Sequence, residues 1–280
     1  MLKKRENNYL TSEKVAQQEQ DKAELNFLIP GFLKGLLNEV GEIFGFSNRF
    51  FKTVLLPPYE MNELAKQSFE IGCKTLVLVS VTGFIMGLVL TIQARPTLAE
   101  FGAESMLPTM ISLSIVREIG PVITGLICAG KISSGIGAEL GSMKVTEQID
   151  AMEVSGTNPF KYLVVTRVMA TTFMIPILVF YTDAIAFFGS FIGINIQGGV
   201  SFQLYITQAF SALSFSDILP ASIKTFFFGF AIGIVGCYKG YSSNSGTEGV
   251  GKAANSAVVI ASLLIFVLDL IAVQITDLLW

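Results

Sequence analysis

The chain has 280 residues, of which 51% are hydrophobic and only 15% charged, with a mean hydropathy of +0.61. That composition is far from a soluble globular domain, and several apolar runs exceed the roughly 20 residues a helix needs to cross about 30 Å of hydrocarbon. A formal net charge of −3 argues against a nucleic-acid partner, and the absence of histidine excludes Ser/His or Cys/His catalysis, His-ligated metals and His proton relays.

No two-residue alternation marks strands, so the sequence predicts an all-α integral membrane protein. Residues 1–26 are charged and Gln/Asn-rich, without the apolar core of a signal peptide, and are expected to form a disordered cytoplasmic tail. Residues 27–58 predict an amphipathic helix: Phe32, Leu33, Leu36, Leu37, Val40, Ile43 and Phe44 repeat at three and four, opposite Lys34, Asn38, Glu39 and Glu42. Pro30 suits its start and Pro57-Pro58 its end. Such a helix lies in the headgroup plane; a short soluble helix is the other reading.

A five-span domain is expected over residues 70–280. The spans fall near Cys73–Ala94 (closed by Arg95-Pro96), Leu107–Ala138, Tyr162–Ile196, Ile218–Tyr238 and Asn255–Leu278. Lys131, Lys144, Lys161, Arg167, Lys239 and Lys252 collect at or near the same connections, whereas segment 197–217 has no Lys or Arg. That bias predicts a cytoplasmic N-terminus and an external C-terminus, with Arg95 as a snorkelling exception. Cys73, Cys128 and Cys237 are too scattered for a disulfide framework or a metal site and read as small buried hydrophobes.

In the second span Gly125, Ala129, Ser133, Gly137 and Gly141 recur every four residues, so one helix face is bare enough for another helix to approach closely. Shorter ladders follow at Gly189/Gly193, Gly229/Gly233 and Gly236/Gly240. From Glu139 to Glu153 the chain turns water-soluble in character. Val145, Ile149 and Met152 share one face, Lys144, Glu147, Gln148, Asp150 and Glu153 supply polar surface, and Gly156 and Pro159 end the element. A cytoplasmic helix of this kind between spans two and three suits a groove on a soluble ATPase; an interfacial helix without a partner is the other reading.

Charges inside apolar spans are costly unless paired or solvated. Arg117 and Glu118 lie in span two, Asp183 in span three, Lys224 in span four and Asp269 in span five. Pro121 lacks an N–H, so a kink is expected beside Arg117 and Glu118. Arg117, Glu118, Asp183 and Lys224 are therefore candidate lipid-binding residues, with Arg117 and Lys224 suited to a phosphate. Internal pairing, such as Arg117 with Asp183, is the competing reading. Gly246–Lys252 reads GTEGVGK, but the next residue is Ala253 where a phosphate-binding loop needs Ser or Thr, so a flexible cytoplasmic turn is expected there.

The run REIGPVITGLICAGKISSGIGAELGSMKVTEQIDAMEVSGTNPFKYLVVTRVMA resembles the signature of MlaE/YrbE-type permeases, the membrane subunits of MCE-associated ABC lipid transporters. The resemblance extends from about residue 30 to the C-terminus. It implies a homodimer in the bacterial inner membrane, clamped to two ABC ATPase subunits that bind ATP and Mg. It also implies a ring of MCE proteins on the periplasmic side, and phospholipid as cargo in maintaining outer-membrane lipid asymmetry. Carried over, Glu139 to Glu153 would be the coupling helix, residues 31–56 the interfacial helix, and Arg117 and Glu118, with Lys224 nearby, the lining of a lipid cavity at the dimer interface. The chain itself would bind no cofactor. One departure is visible: some relatives carry a further arginine at the start of the last span, where this chain has AANSAVVIAS after Lys252. An ion-coupled secondary transporter using Glu118, Asp183 or Asp269, or a structural anchor for a soluble complex, are the alternatives; no internal repeat supports the former.

Overall fold

In a computed structural model, residues 31–57, 59–196, 198–211, 213–243 and 246–279 are described, and the expected tail of residues 1–26 lies outside them. Two units are distinguished, one up to Arg49 and one from Phe50 onward. Helix α1 (Gly31–Val54) crosses that division as one continuous element; within the first unit its Val40 and Phe44 are exposed. Apolar side chains left open on a helix of this kind suit a membrane surface.

The second unit holds α2 (Met61–Glu100), α3 (Glu104–Val145), α4 (Gln148–Val154), α5 (Phe160–Asn195), α6 (Phe202–Ser211), α7 (Phe215–Tyr241) and α8 (Thr247–Leu279). No strand occurs among the described residues, and α2, α3, α5, α7 and α8 are the five helices long and apolar enough to cross a membrane. The helices outrun the expected spans, α2 beginning at Met61 rather than Cys73 and α3 ending at Val145 rather than Ala138, and two further boundaries differ in kind. Arg95-Pro96 does not end the helix: α2 runs 40 residues with Pro96 inside it, near its end. There Pro96 removes a single backbone bond, which the flanking turns tolerate. Nor is GTEGVGK a flexible turn. Gly246 makes the turn at φ 104°, and Thr247 already begins α8. Glu248 favours that N-terminus and pairs with Lys252 one turn on at 2.7 Å.

α3 is not uniformly α-helical. Its turns at Ile115–Ile119 and Ala129–Ser133 widen to π geometry, as does the start of α5 at Phe160–Val165. Pro121 accounts for the first: with no N–H to offer, it leaves the preceding turn to re-pair, and Gly120 N–H reaches back five residues to the carbonyl of Ile115. The expected kink is thus a π turn, and it carries Arg117 and Glu118.

Lipid tails are as apolar as side chains, so spans associate by close packing of small residues rather than by burial from water. The α2–α5 seam shows this most clearly. A Cβ on Gly87 would lie 1.9 Å from the Ala186 carbonyl, and one on Gly189 would lie 2.2 Å from that of Phe84. Thr91 donates to Ser190 across the seam at 2.8 Å. The ladder of α3 packs on α7 and α8. Gly125 faces Phe228 and Ile265, Gly137 lies on Ala253, Ala254 and Ala257, and Gly141 on Ser243 and Val250. Ala129 and Ser133, between them, are fully buried. α6 had no expectation attached. It seats Tyr205 and Ala209 among Ile111, Ile115 and Ala186, and the Tyr205 hydroxyl donates to Phe187 O at 3.1 Å. Cys128 and Cys237 are buried as expected, whereas Cys73 lies on the outer face of α2, exposed.

Candidate functional site

Where the first π turn of α3 meets α7 and α8, five charged side chains form two linked groups. Arg117 donates Nε to Asp217 Oδ1 at 2.6 Å, and its Nη2 reaches the same oxygen. Asp217 is held by its own helix: α7 opens with a capping box in which the Ser214 N–H and hydroxyl bond Asp217 Oδ2 at 2.9 and 2.7 Å. Two turns on, Lys224 donates to Glu118 Oε2 and Asp269 Oδ1, both at 2.8 Å, tying α3, α7 and α8 together. Burial differs sharply within this group. The Lys224 side chain is 5% exposed and held between two carboxylates, while that of Arg117 is 58% exposed.

These residues wall a cavity of about 480 Å³, lined by Arg117, Glu118, Asp217, Lys224 and Asp277. Beside it runs an almost wholly apolar trough of about 340 Å³ along Leu219, Ile223, Phe227, Leu268 and Ile271. The two share Pro220, Lys224, Ala272 and Thr276 as a common wall. Charged chamber and apolar trough thus lie side by side, an arrangement that suits a molecule with a polar end and a long apolar one.

Asp183 is not part of this chamber and does not pair with Arg117. It is buried on α5 against the Gly120 backbone, and its Oδ1 has no hydrogen-bond partner among the described residues. The π turn directs Arg117 to the start of α7 instead, where Asp217 waits. Asp217 was absent from the sequence-based candidates, although Ser214-x-x-Asp217 before an apolar run is a capping-box signature.

The segment from Glu139 to Glu153 is two elements rather than one helix. α3 continues to Val145, the chain breaks at Glu147 in the left-handed region (φ 58°), and α4 follows as seven residues. Glu139 therefore belongs to span two, and it accepts a 2.7 Å bond from Arg167 Nη2. Arg167 is 2% exposed and also donates to Leu163 O at 3.0 Å, so this cation near a connection is packed inside the protein. Ile149 is buried beneath α4, so the apolar face is an anchor, and Val145 is only half-buried. Glu147, Asp150, Glu153 and Val154 stay exposed, and Lys144 bridges to Asp150 at 3.0 Å. Gly156 ends the helix at φ 80°, as its position foretold, with Thr157 N–H bonding Met152 O at 3.1 Å.

The sequence matches the family described as Permease MlaE over residues 64–275. Similar proteins include a probable ABC transporter permease of Rickettsia typhi, 38% identical over 79% of this chain and 86% of that protein. The probable ABC transporter permease protein ycf63 of Pyropia yezoensis is 35% identical over 75% of this chain and 80% of its own length. The intermembrane phospholipid transport system permease protein MlaE of Haemophilus influenzae is 34% identical over 74% and 80%. With five spans, a charged chamber between three of them and a short helix projecting between the second and third, the chain belongs to the MlaE family of ABC transporter permeases.

Proposed function

We propose that two copies of this chain form the membrane core of an ATP-driven transporter that moves phospholipid between the bacterial inner membrane and a periplasmic MCE protein. The common wall between the charged chamber and the apolar trough carries this reading. A phospholipid has that same division, and Arg117, exposed although paired, presents a fork of donors to its phosphate while the trough takes an acyl chain. Lys224 holds Glu118 and Asp269 in place and offsets their charge. The named role of the Haemophilus relative in intermembrane phospholipid transport supports the same cargo.

ATP and Mg belong to two partner ATPase subunits, which dock on the cytoplasmic surface made by Glu147, Asp150, Glu153 and Val154. Lys144, Val145 and the anchored Ile149 join that surface to α3, so ATPase closure is passed to the chamber through one continuous helix. In this orientation the α4 end is cytoplasmic, α6 and the C-terminus are periplasmic, and α1 lies along the inner-membrane surface.

Mass spectrometry on the protein purified gently from its native membrane tests the proposal. An ABC ATPase and an MCE protein in stoichiometric amounts, with phospholipid retained, are expected. A chain that purifies alone, under conditions that preserve other complexes, overturns it.

A further inference from the structure

We infer a second phospholipid site, built for a headgroup carrying both a phosphate and an ammonium, in the pocket where the ends of α2, α3, α5 and α6 meet. The pocket holds about 260 Å³ and shares no lining residue with the central chamber. Arg95 and Glu104 both line it, yet among the described residues neither forms an ion pair. Because α2 continues through Pro96, Arg95 is held on a rigid helix immediately after the apolar stretch that ends at Ala94. That places its charge at headgroup depth.

One donor anchors it: Nη1 bonds Ile194 O, in the last turn of α5, at 3.1 Å. Gly198 makes room for the rest of the guanidinium, since a Cβ there would lie 3.0 Å from Nη2. The remaining donors suit phosphate oxygens. Glu104, exposed in the first turn of α3, supplies the opposite charge for an ammonium. Leu107, Ile194 and Leu204 give the apolar wall beside which a glycerol and the first acyl carbons rest. A phosphate with no amine finds Arg95 but is repelled by Glu104; a phosphoethanolamine-type headgroup satisfies both.

The test uses the intact complex in lipid nanodiscs carrying trace phosphatidylethanolamine or phosphatidylglycerol with a diazirine on the first carbons of one acyl chain. Crosslinks are mapped to peptides of α2, α3 and α6. Labelling there by the ethanolamine lipid is expected to exceed that by the glycerol lipid about fivefold, as a partly screened charge contact allows. Arg95→Gln is expected to lower both, and Glu104→Gln to abolish the preference alone. Unchanged labelling of α7 and α8 peptides reports that each variant folds. Equal labelling by the two lipids, or labelling indifferent to Arg95→Gln, overturns the site. A preference that survives Glu104→Gln overturns the ammonium contact. Since the readout is local labelling and not transport, it stands apart from the fate of the central chamber.

Discussion

Arg117 and Arg167 each meet a carboxylate from another helix, but with burial reversed. Arg167 is 2% exposed and its partner Glu139 52%; Arg117 is 58% exposed and its partner Asp217 3%. In the first pair the cation is locked inside the protein and its counter-ion faces outward. In the second the carboxylate is locked, by a helix cap as well as by the arginine, and the cation faces a cavity. A buried charge constrains the fold because it cannot be left alone, whereas an exposed one is free to meet a ligand. The same chemistry therefore fastens α3 to α5 at one end of the molecule and equips the chamber at the other.

Removing the exposed member of each pair breaks that comparison most directly. Glu139→Ala strands Arg167, and the expected loss lies near the low end of about 3–5 kcal/mol, because Glu139 is itself half exposed. Thermal unfolding of the detergent-solubilised complex measures it. Adding Arg167→Met should recover most of the loss, since an apolar side chain of similar length leaves no charge to solvate. An unchanged melting temperature in Glu139→Ala would mean that Arg167 is solvated without its partner, and the contrast would collapse. Lys224→Met comes next. It leaves Glu118 and Asp269 without their shared cation, but Glu118 lines the cavity and neither carboxylate is fully buried, so about 1–2 kcal/mol is expected, together with loss of lipid transfer in reconstituted vesicles. Arg117→Ala is milder for the fold. Asp217 keeps its two bonds from Ser214, so stability falls by less than about 1 kcal/mol while lipid transfer drops about tenfold. A large stability loss in Arg117→Ala would make that arginine structural like Arg167.

The five spans were legible as apolar runs long enough to cross a membrane, and the α3 ladder because a helix exposes its period directly in sequence. Pro121 likewise announced a distortion, but a missing N–H says where a helix must re-pair and not which way its side chains then turn. That is why Asp183 stands in sequence as one candidate partner for Arg117, whereas Asp217 is found there. Arg167 misled for a different reason: a cation near a span end looks the same in sequence whether it snorkels to water or folds back onto Leu163 O and Glu139. α6 is too short for its period to stand out, with only Tyr205 and Ala209 turned inward. Pro96 reads as a stop, yet near a helix end the cost of continuing is one hydrogen bond.

The smallest expected effect lies at the joint between α3 and α4. Lys144 and Asp150 pair at 3.0 Å across the left-handed turn at Glu147, with side chains 37% and 56% exposed. An exposed pair of this kind contributes about 0.2–1 kcal/mol, so Lys144→Ala should leave the melting curve almost unmoved. Its consequence is directional instead. The pair bridges the only described non-glycine residue with positive φ, at the point where, on the proposed function, a push on α4 is handed to α3. Loosening that joint lets α4 follow a docked ATPase without moving the chamber. Lipid transferred per ATP hydrolysed, measured on the reconstituted complex, should fall about twofold while the hydrolysis rate holds, since a contact this weak holds the joint only part of the time. If transfer and hydrolysis fall together, Lys144 acts in ATPase docking, and the joint at Glu147 is rigid without it.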